Sequence, residues 1–436
     1  MSAADLSRGA GMSAIADRVR AVAPSADLGE ERVVRSLFAR VAVSALVEPG
    51  DMDAGAMVHR LGAETTVRLV QDGGGGERVL ALLRERCPDE DLPTVRRLDD
   101  ALTRWRGRLD PSGGERILER AAQLGATLVT PDDPLWPRGT RDLEQGSPLL
   151  LWVRGDPGLL VRLNRSIALV GARAATGYGT HVAMESAAAL SDRGFAIVSG
   201  GAYGVDAAAH RAAVASGQVT VAFLAGGVDR LYPAGNTSLL HRVIETGLVI
   251  SELPPGSVPT RWRFLMRNRL IAAASQATIV VEAGSRSGSL NTAGHAAQLG
   301  RPLGAVPGPI TSPASAGCHR LIREYDATCV TTPDEMAELC EPVGLPIASG
   351  AGGGDASRGA GAVGTGCDES SVQPGADASD RSGVILQALR IRSGRTVREL
   401  MNSTGLDAAR VQAELGRLET LGRVRESGDG WHREVS

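Results

Sequence analysis

Between residues 167 and 330, seven short apolar runs alternate with Ala-rich helical patterns, and this alternation constrains the fold more than any other feature. The runs are Ile167–Val170, Ala196–Val198, Val219–Leu224, Leu248–Ile250, Thr278–Val281, Leu303–Val306 and Cys329–Val330. Between them lie stretches such as "GVDAAAHRAAVASG" and "LNTAGHAAQLG", each ending in glycine. Strands separated by helices of 10 to 15 residues make βαβ units, and therefore a parallel, doubly wound α/β sheet.

Such a sheet gathers its ligand at the carboxyl ends of its strands. Five of those ends carry "GAR" (171–173), "SGGAYGVD" (199–206), "AGGVD" (225–229), "SELPPG" (251–256) and "EAGSRSGS" (282–289). One glycine turn is ordinary packing; five along one edge suggest a backbone-lined trough for a polyanion. The first turn, in "SIALVGARAATGYGTHVA", has its glycines at 171, 177 and 179, which is neither G-x-G-x-x-G nor a G-K-[ST] loop. Arg173 stands two residues past the strand-ending Gly171. An isolated arginine is commonly a surface ion-pair partner, but this position favours a phosphate contact.

A second signal is "TRWRFLMRNRLIAAAS", 260–275, where Arg261, Arg263, Arg267 and Arg269 interleave with Trp262 and Phe264. Charge for a backbone beside flat surfaces for bases is what single-stranded nucleic acid requires. The alternative is an amphipathic helix with Phe264 and Leu270 in the core and solvated arginines. Asp206 and His210, four apart, read as a helix cap with a stacked histidine, since a metal pair lacks a third ligand. Glu282 ends a strand at the same edge and reads as an acceptor for backbone N–H groups of the next helix, with general base as the rival role.

The chain has 436 residues, enough for two or three domains, and a formal charge of −3, so any basic surface must be local. It contains no lysine, which excludes P-loop and Schiff-base lysine chemistry. Its five cysteines have no C-x-x-C spacing, and neither a signal peptide nor a membrane-spanning run is evident, so a soluble cytoplasmic protein without metal or cofactor is expected. Residues 1–120 read as a small helical domain and 121–341 as the sheet domain. Residues 342–380, with 10 glycines, read as a flexible linker. In 381–436, Thr396 and Glu399 have capping-box spacing, Asp407 can cap a helix carrying Val411, Leu415 and Leu418, and a hairpin surrounds Gly428–Gly430. That order is a winged helix, mildly basic with ten arginines against seven acids.

Taken in order, Val170–Arg173, Thr176–Gly179, Ser199–His210, Gly227–Asn236, Ser251–Gly256, Arg267–Arg269 and Val280–Ala293 resemble the motif series of the DprA/Smf family, the DNA-processing proteins A. The resemblance implies an extended Rossmann-like domain that binds single-stranded DNA. It also implies a homodimer that protects incoming strands and loads the RecA recombinase during natural transformation, with no membrane partner and no catalysis. On that reading the DNA groove is lined by Gly171, Arg173, Tyr178 and Gly179, by Ser199, Gly200, Gly201 and Gly204, and by Gly226 and Gly227. Arg263, Arg267, Asn268, Arg269, Ser287 and Gly288 complete it. The sequence departs from the family pattern at Ala234 after Tyr-Pro, where lysine is frequent, at Leu265–Met266, and at His319. A second reading of the same sheet is a phosphoribohydrolase acting on nucleoside monophosphates with help from Glu282, although the P-G-G-x-G-T-x-x-E string of those enzymes is absent. A third is a transcription regulator acting through the winged tail.

Overall fold

The computed structural model describes residues 9–24, 30–87 and 92–340, and scattered residues from 389 onward. Its contacts divide the chain into two compact units, Met1–Ala348 and Ser349–Ser436.

In the first unit, helices α1 (Gly9–Val22), α2 (Glu31–Leu46), α3 (Met52–Leu61), α4 (Ala63–Gln71), α5 (Gly76–Arg86), α6 (Val95–Arg106) and α7 (Gly113–Gln123) precede the sheet. The sheet elements follow as β1 (Thr127–Val129), β2 (Leu151–Gly155), β3 (Ser166–Gly171), α8 (Gly177–Asp192), β4 (Ala196–Ser199), α9 (Val205–Ala215) and β5 (Thr220–Phe223). Next come α10 (Thr237–Thr246), β6 (Leu248–Ser251), α11 (Arg261–Ala274), β7 (Ala277–Glu282), α12 (Ser289–Gln298), β8 (Leu303–Ala305), α13 (Ala316–Glu324), β9 (Thr328–Cys329) and α14 (Pro333–Glu338). All seven apolar runs of the sequence are strands.

The strand order is β1-β2-β6-β5-β4-β3-β7-β8-β9. From β6 to β9 every pairing is parallel, as the βαβ pattern requires. The large parallel part is as expected, and β2 makes the sheet mixed by pairing antiparallel with both β1 and β6. These two strands lack the strand–helix–strand spacing that marks the other seven, so the pattern that reveals the parallel part passes over them. Along the central strands, alternate side chains enter different cores. Ala168, Val170, Val198 and Val280 join one cluster, and Ile167, Leu169, Ile197 and Ile279 another. Both faces are therefore covered, the condition for a largely parallel sheet.

The N-terminal helices do not stand apart. Residues of α1, α2 and α7 (Ile15, Val19, Val41, Leu118) share a core with Trp152 of β2, Ala222 of β5 and Val249 of β6. Helices α3 to α6 keep a smaller core around Leu83, Leu98 and Trp105. The indole of Trp105 donates to the Asp51 carboxylate at 3.0 Å, and Asp51 in turn caps α3.

In the second unit, β10 (Val424–Ser427) and β11 (Gly430–Arg433) form the expected hairpin. Leu389, Leu400, Val411, Leu415, Leu418 and Val424 form its core, and Thr396 and Glu399 exchange capping bonds. The linker 342–380 and Asp407 lie outside the described residues.

Candidate nucleic-acid interface

From β3 the chain winds outward through β4, β5 and β6 on one side and through β7, β8 and β9 on the other. This is a topological switch point, and the ends of β3 and β7, Gly171 and Glu282, sit in register beside each other there.

The loop after β3 is tethered by Glu282. Its carboxylate accepts from the Thr176 backbone N–H at 2.8 Å and from the Thr176 hydroxyl at 2.7 Å, while its carbonyl accepts from the N–H of Ala172 at 2.7 Å. The Thr176 hydroxyl also accepts from Gly179 N–H at 3.2 Å, which caps α8. Glu282 thus serves the start of α8, after the neighbouring strand β3, rather than α12, the helix that follows it. A Cβ on Gly179 would collide with the Glu282 carboxylate, and one on Gly171 with Val205. Both glycines are close-packing positions.

The loop after β4 is closed by Asp206, whose carboxylate accepts from Gly200 N–H at 3.1 Å and Ala202 N–H at 3.3 Å. Asp206 therefore holds the preceding loop, and Gly204 occupies the cap of α9. Gly201 and Gly204 have φ of 68° and 76°, which L side chains rarely adopt. Ser199 is buried and donates to Leu169 O at 2.7 Å. Gly226 and Gly227 pack against the 254–259 loop, where added Cβ atoms would meet Pro259 and Pro254. With Thr176, Gly179, Gly200 and Ala202 committed in this way, much of the expected trough of free backbone N–H groups is already used inside the protein.

The arginines of α11 divide into two sets. Arg267 is buried and donates to Gly200 O at 2.6 Å and Phe223 O at 2.5 Å. Burial lowers its pKa to about 10 against the opposing pull of Asp206. Burial raises the Asp206 carboxyl, opposed by Arg267, and drives the His210 imidazole down to about 3. His210 Nδ1 lies 2.7 Å from the Thr220 hydroxyl. Arg269 is buried and donates to both oxygens of Glu252 at 2.8 Å. Arg263 grips the carboxylate of Glu48 at 2.9 and 3.0 Å. Asn268 donates to Asn291 at 3.1 Å. A uniform basic strip along "RWRFLMRNR" is therefore not what the helix presents, because three of its four guanidiniums turn onto protein oxygens.

A cleft of about 1070 Å³ opens at the switch point. Its walls are the Gly171–Arg173 loop, Tyr232, the outer face of α11 and the Gly284–Ser289 turn that leads into α12. Arg173, Arg261 and Arg286 border it, all exposed, and none has a carboxylate partner among the described residues. Ser285, Ser287 and Ser289 add hydroxyls, with Ser287 and Ser289 joined at 2.7 Å, and nothing crowds Gly288. The Arg173 guanidinium stacks 4.9 Å from the Phe264 ring centre, and Arg267 lies 5.8 Å from the same ring. Tyr232 meets Phe264 at 5.6 Å. Phe264 is thus largely engaged, whereas Trp262, on the first turn of α11, is 57% exposed. Tyr178 is exposed, stands outside the cleft lining and donates to Pro307 O at 2.7 Å. In the Gly284–Ser289 turn, Ser285, Arg286 and Ser289 line the cleft beside Ser287 and Gly288, the two turn residues expected there. The signal for Arg286 was the one that singled out Arg173: an arginine in a glycine turn at a strand end.

The chain matches the family described as DNA recombination-mediator protein A over residues 127–341. A relative from Mycobacterium tuberculosis bearing the name DNA processing protein DprA is 44% identical over 339 residues, spanning 73% of this chain and 81% of the relative. DNA processing protein DprA of Bacillus subtilis is 35% identical over 208 residues, spanning 48% of this chain and 68% of its own. The X-ray structure of DNA processing protein A from Streptococcus pneumoniae superposes with a TM-score of 0.54 at 28% identity, covering 70% of this chain and 97% of that one.

Proposed function

Because the chain belongs to the DNA recombination-mediator protein A family, we propose that it binds single-stranded DNA non-enzymatically in the cleft at the β3–β7 switch point. The observation that carries this reading is the set of three guanidiniums, Arg173, Arg261 and Arg286, bordering one cleft without carboxylate partners among the described residues. Arginine forks and seryl hydroxyls suit phosphate oxygens, and the exposed face of Trp262 suits an unstacked base. The R-N-R row builds the wall that carries these groups: Arg267 ties α11 to the β4 and β5 ends, and Arg269 ties it to Glu252. The glycines of the predicted groove shape the loops.

The same family membership supports a homodimer that protects strands and delivers them to the RecA recombinase in DNA uptake, within the cytoplasm. Among the described residues no helix is long and apolar enough to cross a membrane. Against a phosphoribohydrolase reading stands the engagement of Glu282, whose two carboxylate oxygens are both occupied by Thr176.

The test is to mix the purified protein with a single-stranded oligonucleotide, a duplex of the same length and a nucleoside monophosphate, measuring binding and turnover together. Single strands should bind much more tightly than duplex, with little sequence preference, and no base should be released. Equal affinity for the duplex would refute the cleft reading.

A further inference from the structure

The wall of the cleft formed by α11 is held from behind by the connection between α2 and α3. Glu48, on that connection, accepts from Arg263 Nε at 2.9 Å and from a second guanidinium nitrogen at 3.0 Å, across 215 residues of sequence. Arg108, just past α6, reaches the same carboxylate at 3.1 Å. Arg263 in turn donates to Val258 O at 2.9 Å, and its N–H is capped by the Thr260 hydroxyl at 3.3 Å. Two residues beyond Glu48, the N–H of Gly50 donates to Glu252 at 3.3 Å, on the carboxylate that also holds Arg269. Gly50 has φ of 70° and abuts Met266 of α11, where a Cβ would collide. The short segment 48–50 therefore grips α11 at its first turn and again at its middle.

We propose that Glu48 is a positioning residue for single-strand binding: through Arg263 it fixes the first turn of α11, and with it Arg261 and Phe264, at the spacing the cleft requires. This rests on the single-strand reading above. Neither Glu48 nor Arg263 lines the cleft, whereas Arg261 and Phe264 on the same turn do. The geometry is the two-pronged arrangement that makes an arginine–carboxylate pair directional as well as attractive. The side chains of the pair are only 19% and 31% exposed, unlike the solvated pairs that contribute little. Burial pushes the Glu48 carboxyl upward, but Arg263 and Arg108 outweigh it and hold the group below its ordinary value, so it is ionised at neutral pH. On this account the N-terminal helices are part of the DNA-binding device, since they supply the fixed point against which the wall is set.

Charge alone predicts the opposite. An acid close to a DNA-binding face repels phosphates, so its neutralisation should strengthen binding. The experiment measures the affinity of the full chain for labelled (dT)20 across a salt series, beside thermal melting, for Glu48→Gln, Arg263→Gln and the double variant. Positioning predicts that Glu48→Gln binds at least about fivefold more weakly with an unchanged salt slope, because no phosphate contact is removed. It also predicts that the double variant is no worse than either single one. A Glu48→Gln protein that binds as tightly as wild type or more tightly overturns the proposal, as does a double variant whose losses add. Should Glu48→Gln not fold, Arg263→Lys keeps the charge and loses the fork; it must bind at least about threefold more weakly, and wild-type affinity there overturns the proposal equally. Failure of the wild-type chain to bind (dT)20 would instead refute the single-strand reading itself.

Discussion

Replacing Arg173 by alanine should weaken single-strand binding without unfolding the protein, and the size of the effect follows from the surroundings of this side chain. The guanidinium is exposed, has no carboxylate partner among the described residues, and touches the protein chiefly by stacking 4.9 Å from Phe264. An exposed cation–π contact contributes about 0.5–1 kcal/mol, so the loss of stability should stay near or below that. A phosphate contact on a single strand contributes about 0.7 to the slope of log affinity against log salt. Between about 50 and 200 mM salt the defect of the variant relative to wild type should therefore shrink about 2.6-fold. Fluorescence anisotropy with labelled (dT)20 across that range, beside a melting curve on the same preparation, measures both quantities. An unchanged slope together with a marked fall in melting temperature would refute the argument and make Arg173 a structural residue.

Arg267→Ala should behave in the opposite manner. It removes the buried donor of two carbonyls, Gly200 O and Phe223 O, and the positive charge near the buried Asp206, and leaving buried polar groups unsatisfied costs about 1–3 kcal/mol each, read from denaturant melts. A variant as stable as wild type but deficient in binding would return Arg267 to the DNA contacts. Glu282→Gln should weaken strand binding by loosening the 172–176 loop, while nucleoside monophosphates release no base with either protein. Base release by wild type that disappears in the variant would establish an enzyme. Finally, His210 has a folded pKa of about 3, below its unfolded value of about 6.5, so the unfolded chain takes up the extra proton between the two. Its contribution to stability is present above pH 6.5 and is lost progressively as pH falls toward 3, at up to about 1.4 kcal/mol per pH unit, and His210→Gln should flatten that acid limb. An acid limb of unchanged steepness in His210→Gln would contradict the assignment.

The parallel core was legible because buried strands and Ala-rich helices repeat at a spacing that few other folds permit. Strands β1 and β2 escaped because antiparallel pairing needs no crossover helix, and so leaves no such period in the sequence. For the site, the strand-end turns were found for a sound reason, yet the role of their glycines was not. Gly171 and Gly179 are glycine because Val205 and Glu282 press on them. The arginines of α11 show the limit most clearly. Sequence density gives the number of charges on a helix, but which of them faces a carboxylate depends on Glu48 and Glu252, about 215 and 17 residues away. The N-terminal helices were read as a separate domain because their periodicity is self-contained, whereas the apolar faces of α1, α2 and α7 are completed by the sheet.

Glu282 and Asp206 hold the two loops beside the cleft in place before any strand arrives, and this bears on rates. With Thr176, Gly200 and Ala202 already tethered, those loops need not search for a bound conformation during encounter. On the proposed single-strand reading, capture is governed by the field of Arg173, Arg261 and Arg286, so the association rate constant should fall steeply with ionic strength. Substitutions that loosen the tethers, by contrast, should shorten the lifetime of the complex while leaving the speed of its formation nearly untouched.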